Sequence, residues 1–146
     1  MIDSIFKPTR SKCGLGRNFR LFRNNEWTSN GYWAMKTSLE PKMISELKDT
    51  VQLDSDISKI AKEFNFVDCK ELKLTSEIRI IGNDLAVKLK AETFNVWVRP
   101  HYLTLLRKAT RFSDIYSKGN LSTIFFVDHD QVLGVVMPIR VNEEAL

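Results

Sequence analysis

The run Phe94-Asn95-Val96-Trp97-Val98-Arg99-Pro100-His101-Tyr102-Leu103-Thr104-Leu105-Leu106-Arg107-Lys108-Ala109 changes its hydrophobic period at a single proline. Phe94 to Val98 reads as a strand. Pro100 then starts a helix at the one place where its missing N–H costs least. On a helical wheel Tyr102, Leu103, Leu105, Leu106 and Ala109 gather on one side. Thr104, Arg107, Lys108 and Arg111 gather on the other, which predicts an apolar base and a cationic outer face. Lys118-Gly119-Asn120 breaks the chain, and Leu121 to Val127 reads as a strand. Asp128-His129-Asp130-Gln131 turns it into a last strand, Val132 to Val141, interrupted by Pro138. With Asp114 to Ser117 paired as well, the segment runs strand, helix, strand, strand, strand.

Upstream, Leu72, Leu74, Ile78 and Ile80 have a period of two. Asn83-Asp84 marks a turn, and Leu85, Val87 and Leu89 alternate with Ala86, Lys88 and Lys90 as in a half-buried strand. Ile57, Ile60, Ala61 and Phe64 follow helical spacing behind Asp54 or Ser55 as cap. Ser38 to Lys48 has weaker helical character. Phe19 to Arg23, Trp27 to Ser29 and Tyr32 to Met35 form a meander, with Asn30-Gly31 favouring a tight turn. These elements predict an α+β fold of antiparallel sheets with helices on one face.

The 146 residues suit one domain, and 43% apolar with 27% charged excludes a disordered or collagen-like chain. Cys13 and Cys69 stand alone, so no Cys-x-x-Cys redox motif or zinc knuckle exists. No apolar run reaches the roughly 18–20 residues of a membrane span. The first residues also lack the apolar core of a signal peptide, and the expectation is a cytoplasmic protein. No catalytic triad, phosphate-cradling loop or metal-ligand spacing is found, so neither an enzyme nor a cofactor is expected. Asp128-His129-Asp130 holds ligand types, but adjacent residues in a turn rarely converge on one ion.

The net charge is +4, and its placement matters more than its size. Lys7, Arg10, Lys12, Arg17, Arg20 and Arg23 are opposed only by Asp3 and Glu26. Residues 1–18 therefore read as a basic arm suited to a phosphate backbone, and 19–146 as the domain. An ordinary solvated terminus leading into a strand has the same composition.

Three segments in order resemble the final domain of the bacterial sliding clamp, the β subunit of DNA polymerase III. Phe94-Asn95-Val96 leading to Tyr102-Leu103-x-x-Leu106 is similar to the start of that family's last helix. Leu121-Ser122-Thr123-Ile124 resembles its following strand, and Val135-Val136-Met137-Pro138-Ile139-Arg140-Val141 its terminal Val-Val-Met-Pro-Met-Arg-Leu. The likeness covers about residues 85–141. Thr28 to Met35 is similar to a clamp hairpin, and the first helix of a two-halved clamp domain has no counterpart in its expected place.

The resemblance implies a DNA-clamp fold of βαβββ units and a non-enzymatic replication role, in a reduced form that a virus or mobile element would carry. Arg107, Lys108 and Arg111 would face double-stranded DNA without sequence preference; Arg17, Arg20 and Arg23 of the basic stretch are further DNA-contact candidates on their charge alone, not on the resemblance. Leu121, Thr123, Val136, Met137, Pro138, Ile139 and Arg140 would form a pocket for peptides of replication proteins. Several copies would assemble as a homo-oligomer around DNA. Two other readings are a clamp-fold interaction protein that mimics or modulates a host clamp without a ring, and a small nucleic-acid-binding protein using the arm. Gln52-Leu53-Asp54 resembles the opening of a clamp-binding peptide, but Ser55-Asp56 stands where a hydrophobic pair is required.

Overall fold

The computed structural model describes residues 2–15 and 20–141. Two sheets divide the strands. The larger has eight, in the order β4 (Thr50–Gln52), β1 (Leu21–Arg23), β2 (Trp27–Ser29), β3 (Trp33–Lys36), β11 (Gln131–Val136), β10 (Ile124–Asp128), β9 (Asp114–Ser117) and β5 (Lys70–Glu71). The smaller has three, β6 (Lys73–Ile81), β7 (Asp84–Lys90) and β8 (Asn95–Val98). All neighbours are antiparallel except β1 and β4, which run parallel. The α+β class stands.

Helix α4 (Pro100–Ala109) begins at Pro100 as expected. It lies between the sheets, with Leu103, Leu105 and Leu106 in one core with Val87, Leu89, Val96 and Val98 of the small sheet and Trp33, Met35, Phe126 and Val136 of the large one. Burial on two sides leaves little room for an outer face. Thr104, assigned to that face, is fully buried. Of the wheel's three cations, Arg107 is half-buried, Lys108 is exposed, and Arg111 lies past the helix end with φ +55°.

The helices do not share one face. Alternate residues of the large sheet feed a second core on its other side: Ala34, Phe125, Val127 and Val135 pack there with Leu53 and with Ile57 and Ile60 of α3 (Ile57–Ala61). Burial on both faces explains why β10 is a continuous apolar run rather than an alternating one. Helix α3 is capped by Asp56, whose carboxylate accepts from the Lys59 N–H (3.0 Å), rather than by Asp54 or Ser55.

The amino-terminal stretch is packed rather than projecting. A four-residue helix α1 (Ile2–Ile5) contacts α4, and Ile2, Phe6 and Cys13 join the main core. The helical reading of Ser38 to Lys48 reduces to a 3₁₀ turn at Thr37–Leu39 and α2 (Lys42–Ser45).

Within the eight-stranded sheet, the inner six strands β1-β2-β3-β11-β10-β9 form a palindrome about the β3–β11 pair, with β4 and β5 outside them. On one side the chain runs α1-β1-β2-β3; on the other it runs β8-α4-β9-β10-β11.

Candidate functional site

A groove of about 540 Å³ lies on the α3 side of the large sheet. Its floor is Ala34 and Val135, its far wall is Val51, Leu53, Ile57 and Ile60, and Met137 closes its rim beside Tyr32. The lining is mostly apolar, with Ser29, Gln52, Asp54 and Ser55 as polar margin. That size and character suit a few side chains of a peptide.

Local chemistry places each wall. The β2–β3 turn puts Gly31 at φ +99°, a conformation that favours glycine. Asn30 Oδ1 accepts from the N–H groups of Tyr32 (2.9 Å) and Trp33 (3.0 Å), fixing the hairpin. The Met137 N–H donates to Tyr32 O (2.8 Å), so the chain beyond β11 stays against that hairpin. Pro138 has no N–H to continue the ladder. One residue on, the Ile139 N–H donates to Trp97 O (2.8 Å), in the other sheet. The Met-Pro-Ile segment thus steps from one sheet to the other, and this step leaves Met137 on the groove.

The expected peptide-binding residues therefore separate. Met137 lines the groove. Val136 points the opposite way, into the main core, and Ile139 packs with Ala86 and Trp97 behind the small sheet. Pro138 is half-buried and Arg140 exposed, while Leu121 and Thr123 lie in the loop before β10, outside the groove lining. Sequence reasoning missed Val135, Tyr32 and the 51–60 segment. The period of two in the last strand pairs Val135 with Met137 and was the available signal. The wall from 51–60 is a contact across the sheet that no local pattern carries.

The expected DNA-binding residues also divide. Arg107 is held by Asp3 through two hydrogen bonds of 3.1 Å, and its guanidinium lies over the Phe112 ring. Lys108 and Arg111 line a second cleft with Pro8 and Met43. Arg10 reaches the same region, donating to Met43 O (3.2 Å). Arg20 is exposed, Arg23 is bound inside the fold to Glu40, and Arg17 lies outside the described residues.

Burial pushes the Cys13 thiol up to about 12, which removes it as a nucleophile. Among the described residues no group of three or more His, Cys, Asp or Glu is placed to hold a metal ion. No helix among them is long and apolar enough to cross a membrane.

Comparison with known proteins gives no match: no family model, curated protein or solved structure is similar to this chain at a significant level.

Proposed function

We propose that this chain is a clamp-like replication accessory protein whose working surface is the groove beneath Met137. The observation that carries the reading is the placement of Val135 and Met137. They belong to the segment that resembles the clamp terminus, and their side chains share an apolar groove of peptide size. In the family that pocket also draws on a neighbouring domain; here the 51–60 segment takes the second wall. The palindromic strand order, with a helix leading each half, is the further support, because a two-halved clamp domain needs such a plan. The ligand is a short peptide offering two adjacent large apolar side chains. Weak, salt-sensitive DNA contact falls to Lys108 and Arg111 with Arg10, not to Arg107. Several copies would be needed to encircle DNA.

The test is binding of a labelled Gln-Leu-Asp-Leu-Phe peptide, followed by fluorescence anisotropy. Wild-type protein binds it, and Met137→Lys, which sets a charge on the apolar rim, weakens binding at least about tenfold. Absence of binding at millimolar peptide, or equal binding by the variant, overturns the reading.

A second reading is favoured by the burial of α4 and the neutralisation of Arg107 by Asp3. In it the protein keeps the groove and modulates another clamp without forming a ring. Light scattering separates the two: particles of one or two copies on DNA fit this reading, and larger closed assemblies fit the first.

A further inference from the structure

We infer that β6 is the seam at which a second copy of this chain joins the first, as a two-fold dimer centred on Ile78. The inference concerns the small sheet and does not rest on the groove reading. Among the described residues, strand β6 is the longest and pairs on one side only, with β7. Its other edge offers unpaired backbone groups, which template pairing with another chain.

The register of β6 with β7 fixes which side chains share a face. Ile78 faces Val87, Ile80 faces Leu85 and Leu74 faces Leu89 across the ladder. Val87 and Leu89 are buried against the core, but the sheet overhangs it. Leu74 is 40% exposed, Ile78 38%, Ile80 76% and Leu85 38%. Four large apolar side chains therefore continue the core-facing side of the sheet beyond the core. A contiguous patch of this kind marks an interaction surface.

Charge says what covers it. Glu77 and Arg79 flank Ile78 on the opposite face, where Glu77 binds Lys88 (2.8 Å) and lies 3.6 Å from Arg79 of the same copy. A two-fold axis through Ile78 places Glu77 of each copy opposite Arg79 of the other. Both cross-strand pairs are then of opposite sign, and the apolar overhangs of the two copies meet on one face. Moving the axis one residue to Arg79 would set like charges against each other. The edge is thus complementary to itself in the register that also joins the apolar faces. The irregularity between Leu74 and Ile78 shortens the regular edge, so side chains supply most of the contact.

Sedimentation velocity tests the seam. Wild-type protein runs as a dimer at high micromolar concentration, and Ile80→Glu, at a position exposed enough to leave the fold alone, runs as a monomer. Glu77→Arg and Arg79→Glu each raise the dimer dissociation constant by about tenfold or more. Mixed together, those two variants restore a dimer, because both cross-strand pairs are again of opposite sign. A monomeric wild type overturns the inference, as does a dimer indifferent to all three substitutions or a mixture that stays monomeric. Peptide binding at Met137 is measured on Ile80→Glu separately, so a failed seam and a failed groove give different results.

Discussion

Arg23 sits in the most one-sided basic stretch of the chain, yet its guanidinium works inside the fold. Two of its nitrogens bind Glu40 (2.8 and 2.9 Å), and it also donates to the carbonyls of Ile44 (3.1 Å) and Leu47 (3.2 Å). The Glu40 side chain is 6% exposed and also accepts from the Thr28 hydroxyl. Removing the arginine would strand a buried carboxylate, so Arg23→Ala should cost about 3 kcal/mol in urea unfolding. It should leave DNA affinity at low salt unchanged. The sequence could not show this, because the partner lies 17 residues away on an irregular turn. His101 makes a second residue-scale prediction. Its ring stands edge-on to Phe6 (5.3 Å), and burial, helped by Lys12, holds its pKa below the ordinary 6.5. The folded state thus binds this proton less readily than the unfolded chain. The resulting stability is complete above pH 6.5 and is lost as pH falls through the depressed folded value. Unfolding at pH 7 and pH 5 should therefore show a smaller loss for His101→Phe than for wild type; equal losses would contradict it.

At the scale of elements, legibility followed how local the determining physics was. Asn30-Gly31 and Pro100 act on the residues next to them, and the hairpin and helix α4 fall where those residues put them. Asn95 to Val98 and Leu85 to Lys90 were likewise legible as strands, although Asp84, read as a turn, opens the second of them. Helix α1 was not, because four residues are too few to show a period, and its basic surroundings pointed to an arm. The Ser38–Lys48 helix shrank to short turns, and the carbonyls of Ile44 and Leu47 at its end accept from Arg23. The outer face of α4 is narrower than the wheel suggested, with Thr104 buried and Lys108 exposed, because a wheel shows which residues are apolar, not how many neighbours surround the helix. The packing of α4 on β11 is itself testable. A Cβ on Gly134 would lie 2.5 Å from Leu106 Cδ1 and 3.1 Å from Ala34 O, with backbone on one side and a fully buried leucine on the other. Gly134→Ala should destabilise the protein by about 1–3 kcal/mol through overpacking. Chemical denaturation reads this directly, and a variant as stable as wild type would mean that α4 sits further from the sheet.

For the whole molecule, the decisive feature is that the first segment interlocks with elements far along the chain. Asp3 of α1 holds Arg107 of α4, joining positions 104 residues apart. Cys13 O accepts from Asn30 Nδ2 (3.2 Å) and Trp33 Nε1 (2.9 Å), tying the first segment to the hairpin that borders the groove. Ile2 and Phe6 fill the same core as Leu103 and Leu106. A basic arm could be removed with little effect on folding, whereas this segment cannot. Deletion of residues 1–15 would expose the core between the sheets, orphan the buried Trp33 Nε1 and leave Arg107 unpaired. Each of these losses is worth about 1 kcal/mol or more, against a total stability of roughly 5–15 kcal/mol. The truncated chain should lose its cooperative thermal transition and the near-ultraviolet dichroism of its buried tryptophans. The point substitution Asp3→Ala should retain both at a reduced midpoint. A truncated chain that melts like wild type would restore the arm and would remove the first helix from the palindromic plan on which the clamp-like reading partly rests.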